Sequence, residues 1–251
     1  MSKRNPLRYY FLLFVFVFFS TVCLGQIVQE DFAEDEAFAY KTELTGGMFL
    51  STNGGLPGGI RAKYAWQRKK KPKQFNHISL DIANIRHPKE VRVASDSGNG
   101  YFILNKMNFL FVIRPSVGRE FLLFQKSSEE GLELKLNISF GPSIGLQKPY
   151  YILISNGRQT SETVAYTPGL RADRVLGNSY FSGFDQIKPV LGLHARVSLE
   201  FGVSAWDDFV TGVELGFQIE SFSRKVIIIP YSVNKATFTS AFVNLYFGKR
   251  H

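Results

Sequence analysis

Apolar and polar residues alternate one by one along most of this chain, and the alternation runs longest between Ile187 and Phe222. On the first arm Leu191, Leu193, Ala195, Val197, Leu199 and Phe201 alternate with Gly192, His194, Arg196, Ser198 and Glu200. On the second, Phe209, Thr211, Val213, Leu215, Phe217 and Ile219 alternate with Val210, Gly212, Glu214, Gly216, Gln218 and Glu220. Successive strand side chains point to opposite faces, so each arm has one apolar and one polar face. A helix would need apolar residues at three- and four-residue spacing, which neither arm supplies. The pattern predicts one long β-hairpin turning at Ser204–Asp208.

The same period predicts further strands near residues 44–51, 60–67, 77–82, 106–114, 119–126, 132–140, 150–154 and 236–249. With the hairpin that makes about ten, or eight if 119–126 or 150–154 is not a barrel strand. Short connections at Arg68–Gln74, Ser116–Gly118, Gln147–Pro149 and Ser204–Asp208 interleave with long ones at His87–Leu104, Ser155–Gln186 and Ser223–Lys235. Short periplasmic turns and long outer loops are the layout of an up-and-down outer-membrane barrel. A soluble sandwich is the competing architecture. The strand lengths favour the barrel: soluble strands usually run ~5–6 residues, whereas a bilayer needs ~9–11. The expected fold is therefore all-β, an antiparallel up-and-down transmembrane β-barrel with its polar face lining the lumen. That face collects Arg61, Lys63, Asp81, Glu133, Lys135, His194, Arg196, Glu200, Glu214 and Glu220, joined by Glu43, His77 and Arg114. Trp66, Phe201, Trp206, Phe209 and Phe247 fall beside the proposed periplasmic turns or the chain end, where interface aromatics belong.

The N-terminus adds export. Lys3, Arg4 and Arg8 precede the apolar run Tyr9–Phe19 and the small residues Ser20–Gly25, the layout of a signal peptide cleaved after Gly25. Residues 26–39 read as an acidic, flexible periplasmic leader, and residues 40–251 as the outer-membrane barrel domain. The single cysteine, Cys23, falls within the signal, which leaves the mature chain without disulfide or thiol chemistry. Losing Lys3, Arg4 and Arg8 lowers the formal charge from +9 to +6. That excess is modest and scattered, so nucleic acid is not an expected partner; outer-membrane lipid and the phosphates of lipopolysaccharide are. The barrel-assembly machinery is expected to handle the chain during insertion.

The chain resembles the small outer-membrane barrels of Bacteroidota-type bacteria. The resemblance rests on CLGQ (Cys23–Gln26), STNGG (Ser51–Gly55), IRHPKE (Ile85–Glu90), GPSIGLQKPYY (Gly141–Tyr151) and the closing LYFGKR (Leu245–Arg250). It implies an outer-membrane location and no particular activity. The chain ends Lys249-Arg250-His251 rather than on the terminal aromatic common in proteobacterial porins.

Candidate chemistry is sparse. Acids and bases mixed on one lumen face predict ion pairs that plug a narrow lumen, since a selective filter shows one dominant sign. Function would then sit in the outer loops, where Tyr150, Tyr151, Tyr166, Tyr180, Phe181 and Phe184 could meet a glycan or protein, or pack the loop onto the rim. The alternatives are a lipid-modifying hydrolase, a narrow pore or a secretion-complex component docking through Arg68–Lys73. For the hydrolase, His77 and Ser79 share a strand face with Asp81, a base, a nucleophile and a carboxylate. Asp81 is nonetheless about 13 Å from His77 along the strand, too far to orient it. His194 with Glu200 or Glu214 is a second acid–base candidate. No metal-ligand spacing and no Gly-rich phosphate cradle appears, so no cofactor is expected.

Overall fold

The computed structural model describes residues 40–95, 100–124, 132–155, 161–170, 174–206, 209–230 and 232–251. The signal peptide and leader expected over residues 1–39 lie outside them. Eight antiparallel strands close into a barrel: β1 (Thr42–Ser51), β2 (Gly55–Arg68), β3 (Lys71–Ile85), β6 (Asn108–Phe124), β7 (Leu132–Pro149), β11 (Lys188–Trp206), β12 (Phe209–Phe222) and β13 (Thr237–Arg250). The long hairpin is β11–β12, in register from Gly192–Phe222 down to Ser204–Val210. The first and last strands seal the barrel, pairing from Glu43–Arg250 to Ser51–Phe242.

Two expected strands and two expected turns are corrected by this topology, giving eight strands rather than ten. Among the described residues, segments 106–114 and 119–126 fall in one strand, Asn108–Phe124. β6 runs straight through Pro115, Ser116 and Gly118, paired with β3 at Leu80–Pro115, Ser79–Ser116, Ile78–Val117 and His77–Gly118. The Pro-Ser-Val-Gly sequence has turn chemistry, but here it serves packing. A Cβ on Gly118 would lie 2.5 Å from the His77 ring, so glycine makes room for that side chain. On the β7 side the ladder jumps from Ile113–Ile144 to Val117–Phe140, passing over the proline that has no N–H to donate. Gln147–Pro149 is likewise not a turn but the end of β7. The chain leaves the barrel there, so the expected strand 150–154 belongs to a loop.

The barrel is apolar outside and polar inside. Along β3, Phe75, His77, Ser79, Asp81 and Ala83 are buried, while Ile78, Leu80 and Ile82 between them are exposed. Along β11, His194, Arg196, Ser198 and Glu200 are buried while Leu191, Leu193, Val197 and Leu199 are exposed. This is the reverse of a water-soluble domain, and it is stable only where the outside is lipid. No helix among the described residues is long and apolar enough to cross a membrane; closure of the strands satisfies the backbone instead.

The connections divide between the two ends. At the turn end lie residues 69–70, the ends of β6 and β7 at Phe124 and Leu132, those of β11 and β12 at Trp206 and Phe209, and the barrel's own termini, where the Lys41 and Thr42 N–H groups both donate to the His251 carbonyl at 2.7 Å. At the loop end lie residues 52–54 and the described residues of 86–107, 150–187 and 223–236. Two of these build structure of their own. Segment 86–107 folds a hairpin, β4 (Arg92–Ala94) with β5 (Tyr101–Ile103). Segment 150–187 folds a three-stranded sheet in the order β10 (Val175–Ser179), β8 (Tyr151–Ser155), β9 (Ser161–Ala165), followed by a 3-10 turn at Phe184–Gln186.

Candidate functional site

The lumen comes first, because most of the polar side chains point there. Arg61, Lys63, Asp81, Glu133, Lys135, His194, Arg196, Glu200, Glu214 and Glu220 are all buried within the barrel, with Glu43, His77, Arg114, Glu120 and Arg250. Seven carboxylates meet six lysines and arginines in this set, and the pairs reach across the barrel. Lys63 on β2 contacts Glu200 on the opposite strand β11 at 2.6 Å, and also Glu120 at 2.8 Å and Glu43 at 3.7 Å. Lys135 on β7 reaches Glu43 on β1, again opposite, at 2.8 Å. Arg250 holds Glu43 at 2.9 Å and Glu133 at 2.6 Å, closing the turn end. Nearer the loop end, Arg196 pairs with Asp81 at 2.9 Å, and Arg114 makes a two-pronged contact with Glu220 at 2.9 and 2.8 Å. Arg61 bridges toward Glu214 at 3.4 Å.

Three of these acids, Glu43, Glu120 and Glu200, present oxygens within 4.8 Å of one another, as a metal site would. Lys63 already supplies the cation: its ammonium contacts all three. The cage is a lysine site.

The hydrolase candidates are not assembled. Ser79 Oγ shares a 2.7 Å hydrogen bond with Ser116 Oγ and accepts from Arg61 at 3.4 Å, with no contact to His77. His77 faces Glu120 at 3.4 Å instead, and Asp81 is held by arginines. His194 shares a hydrogen bond with Ser143 at 3.1 Å, not with Glu200 or Glu214.

A second closure sits at the loop end. Segment 223–236 turns inward, and Val226, Ile228 and Ile229 pack against Ile85, Leu110, Val112, Val190 and Phe222 of the barrel wall. Asn234 secures the inturned loop by accepting from the Ile228 N–H at 2.9 Å and donating to the Ile229 carbonyl at 2.7 Å. Met107 N–H donates to the Ile228 carbonyl at 2.9 Å, and the Asn108 side chain donates to the Ile227 carbonyl at 2.8 Å. An apolar plug therefore lies above the ionic one.

Outside this mouth the other two long connections share a separate apolar core: Phe102, Ile103, Phe109, Tyr150, Ile152, Tyr166 and Val175. Tyr150 and Tyr166 are therefore packing residues rather than a recognition surface. Their hydroxyls accept from the backbone N–H groups of Ile103 at 2.9 Å and Asn105 at 3.1 Å, which joins one loop to the other. Asn105 takes φ 58°, a left-handed conformation that asparagine tolerates. Burial pushes the Tyr150 hydroxyl up to about 12, so it stays protonated. Tyr151 is half-buried, and Tyr180, Phe181 and Phe184 stay exposed, Phe181 at 91%.

Of the expected interface aromatics, Phe209 and Phe247 are exposed on the outer wall near the turn end, and Trp66 and Phe201 are half-buried there. The Trp206 side chain lies outside the described residues. Sequence reasoning passed over Glu120, Arg250, Tyr40 and Phe75. Glu120 was legible: the even-numbered parity of Arg114, Ser116 and Gly118 continues to it unbroken once the false turn is removed. Tyr40 was not, because it precedes the first strand; its hydroxyl reaches Glu133 at 3.1 Å only in the folded barrel.

No protein-family model matches the chain, and no curated protein matches it in sequence. Among solved structures it is similar to Ail, the attachment invasion locus protein of Yersinia pestis, seen alone and in complex with the heparin analogue sucrose octasulfate. The identity is 12% and the TM-score 0.41, over 84% of this chain and 99% of that one. It is also similar to Neisserial surface protein A (NspA), at 6% identity and a TM-score of 0.40, over 85% and 97% of the two chains.

Proposed function

We propose that this protein is an integral outer-membrane β-barrel with a closed lumen, whose task is to hold a binding platform at its loop end. One observation carries the reading: the lumen is bridged from wall to wall by Lys63–Glu200 and Lys135–Glu43 and stoppered above by Val226, Ile228 and Ile229. A conduit would need a continuous path with one dominant charge. The exposed apolar wall supports lipid as its surroundings, and the chain's N-terminal pattern supports export. On this reading the turn end, which carries both barrel termini and the Lys69–Lys70 turn, faces the periplasm. The loop end faces out, where lipopolysaccharide phosphate and external ligands are met. The hydrolase reading finds no support in the separate engagements of His77 and Ser79.

Protein extracted from the outer-membrane fraction should migrate faster on a cold gel before heating than after. In planar bilayers it should give no steady single-channel current. Steady conductance would overturn the closed lumen, and recovery in the soluble fraction would overturn the membrane assignment.

A further inference from the structure

An open groove of about 520 Å³ runs between the β4–β5 hairpin and the β8–β10 side of the outer sheet, walled by Arg92, Tyr101, Leu153, Asn178 and Tyr180. It belongs to neither closure of the lumen. Tyr101 is 66% exposed and Tyr180 50%, although the residues beside Tyr101, Phe102 and Ile103, are buried. Both tyrosines sit on anchored backbone, and the Tyr180 ring is packed as well. The Tyr180 ring lies 5.8 Å from that of Phe109, and its carbonyl accepts from Lys148 Nζ at 2.6 Å. The Tyr101 carbonyl accepts from the Asn178 amide at 3.0 Å, which ties the hairpin to β10. An aromatic plane already packed in place, as that of Tyr180 is, loses little freedom when it binds.

Arg92 is the charged side chain on the groove's wall. Burial lowers the Lys106 ammonium below the ordinary lysine range, and nearby Arg86 and Arg92 push the same way against Glu90. Glu90 is engaged by Lys106 at 2.8 Å, and no carboxylate among the described residues pairs with the exposed Arg92. Segments 86–107, 150–187 and 223–236 together carry ten lysines and arginines against five acids.

These features select a ligand class. Tyrosine rings stack on the C–H face of a pyranose, an asparagine amide bonds its hydroxyls, and a guanidinium takes a carboxylate or sulfate two-pronged. A peptide adding itself as a strand would need the free edge of β10. That edge is covered: a Cβ on Gly100 would lie 2.3 Å from the Leu176 carbonyl oxygen, so the hairpin already sits against it. We propose that this groove binds an anionic saccharide, one bearing carboxylate or sulfate groups. The proposal rests on the loop-end platform reading and names its ligand class.

The test is calorimetry on the full chain, folded in detergent free of lipopolysaccharide, with hexagalacturonate, a sulfated hexasaccharide and neutral maltohexaose as probes. At least one anionic probe should bind at least tenfold more tightly than maltohexaose. Arg92→Ala and Tyr101→Ala should each weaken that binding at least tenfold while keeping the wild-type cold-gel mobility. Lys225→Ala, in the plug-bearing loop, should leave it unchanged. Displacement by purified lipopolysaccharide would identify the membrane's own glycan as the source of the ligand, and failure to displace would identify a free polysaccharide; either sustains the site. Three results would overturn it: no anionic probe binds, the neutral sugar binds as well, or Lys225→Ala weakens binding as much as Arg92→Ala. Conductance measured on the same preparation separates this failure from that of the closed barrel.

Discussion

Lys63 is the residue on which the lumen depends most directly. Its ammonium contacts Glu43, Glu120 and Glu200 at once, and all four side chains are buried. Breaking a buried ion pair by removing one partner strands the other charge and costs about 3–5 kcal/mol. Lys63→Met keeps an unbranched side chain one atom shorter and deletes the charge, so its loss falls in that range. Urea titration in detergent, followed by tryptophan fluorescence, should show the midpoint move down accordingly. A near-neutral result would mean that water reaches the three acids. Because lysine fills the cage, a chelator should leave the wild-type midpoint where it is.

At the scale of the element, the inturned loop 223–236 is tied to itself by the Asn234 side chain. Asn234 satisfies the Ile228 N–H and shares the Ile229 carbonyl with the Ser232 N–H. Losing a hydrogen-bond partner for a buried backbone group costs about 1–3 kcal/mol. Asn234→Ala should therefore loosen the loop while the strands stay paired. Trypsin should then cut at Arg224, Lys225 or Lys235 much faster than in wild type, with cold-gel mobility unchanged. Equal cutting rates would show that Val226, Ile228 and Ile229 hold the loop without the asparagine. Strand β6 offers the complementary lesson. Its Pro115 and Gly118 have the composition of a turn, yet pairing with β3 continues through both. Local turn preference yields to the ladder with β3, which runs unbroken through both residues.

For the whole molecule the decisive feature is the inversion of inside and outside. Val197 lies at the midpoint of β11 and is exposed on the apolar wall beside Ile138 and Phe217. An arginine at mid-membrane on the lipid face of a barrel costs about 2–4 kcal/mol. Val197→Arg should lower the unfolding free energy in lipid vesicles by that amount. If the wall faced water instead, the same change would cost nothing measurable or improve solubility.

The alternation of side chains was enough, by itself, to determine that β11 and β12 form a hairpin, which residues share the polar face, and that the wall is apolar. A strand's period of two is a local property, fixed wherever the chain is extended. The ten charged and histidine positions assigned to the lumen carry that parity in their numbering alone. Strand number was not legible, because Pro115, Gly118 and Tyr150–Ile154 have local preferences that only pairing partners override. Nor could the sequence tell that Lys63 meets Glu200, 137 residues away, or that His77 and Ser79 bond to different partners. The inward turn of Val226, Ile228 and Ile229, and the groove between Tyr101 and Tyr180, were equally invisible. Each depends on which strands stand opposite when the sheet closes, and closure is a property of all eight strands together.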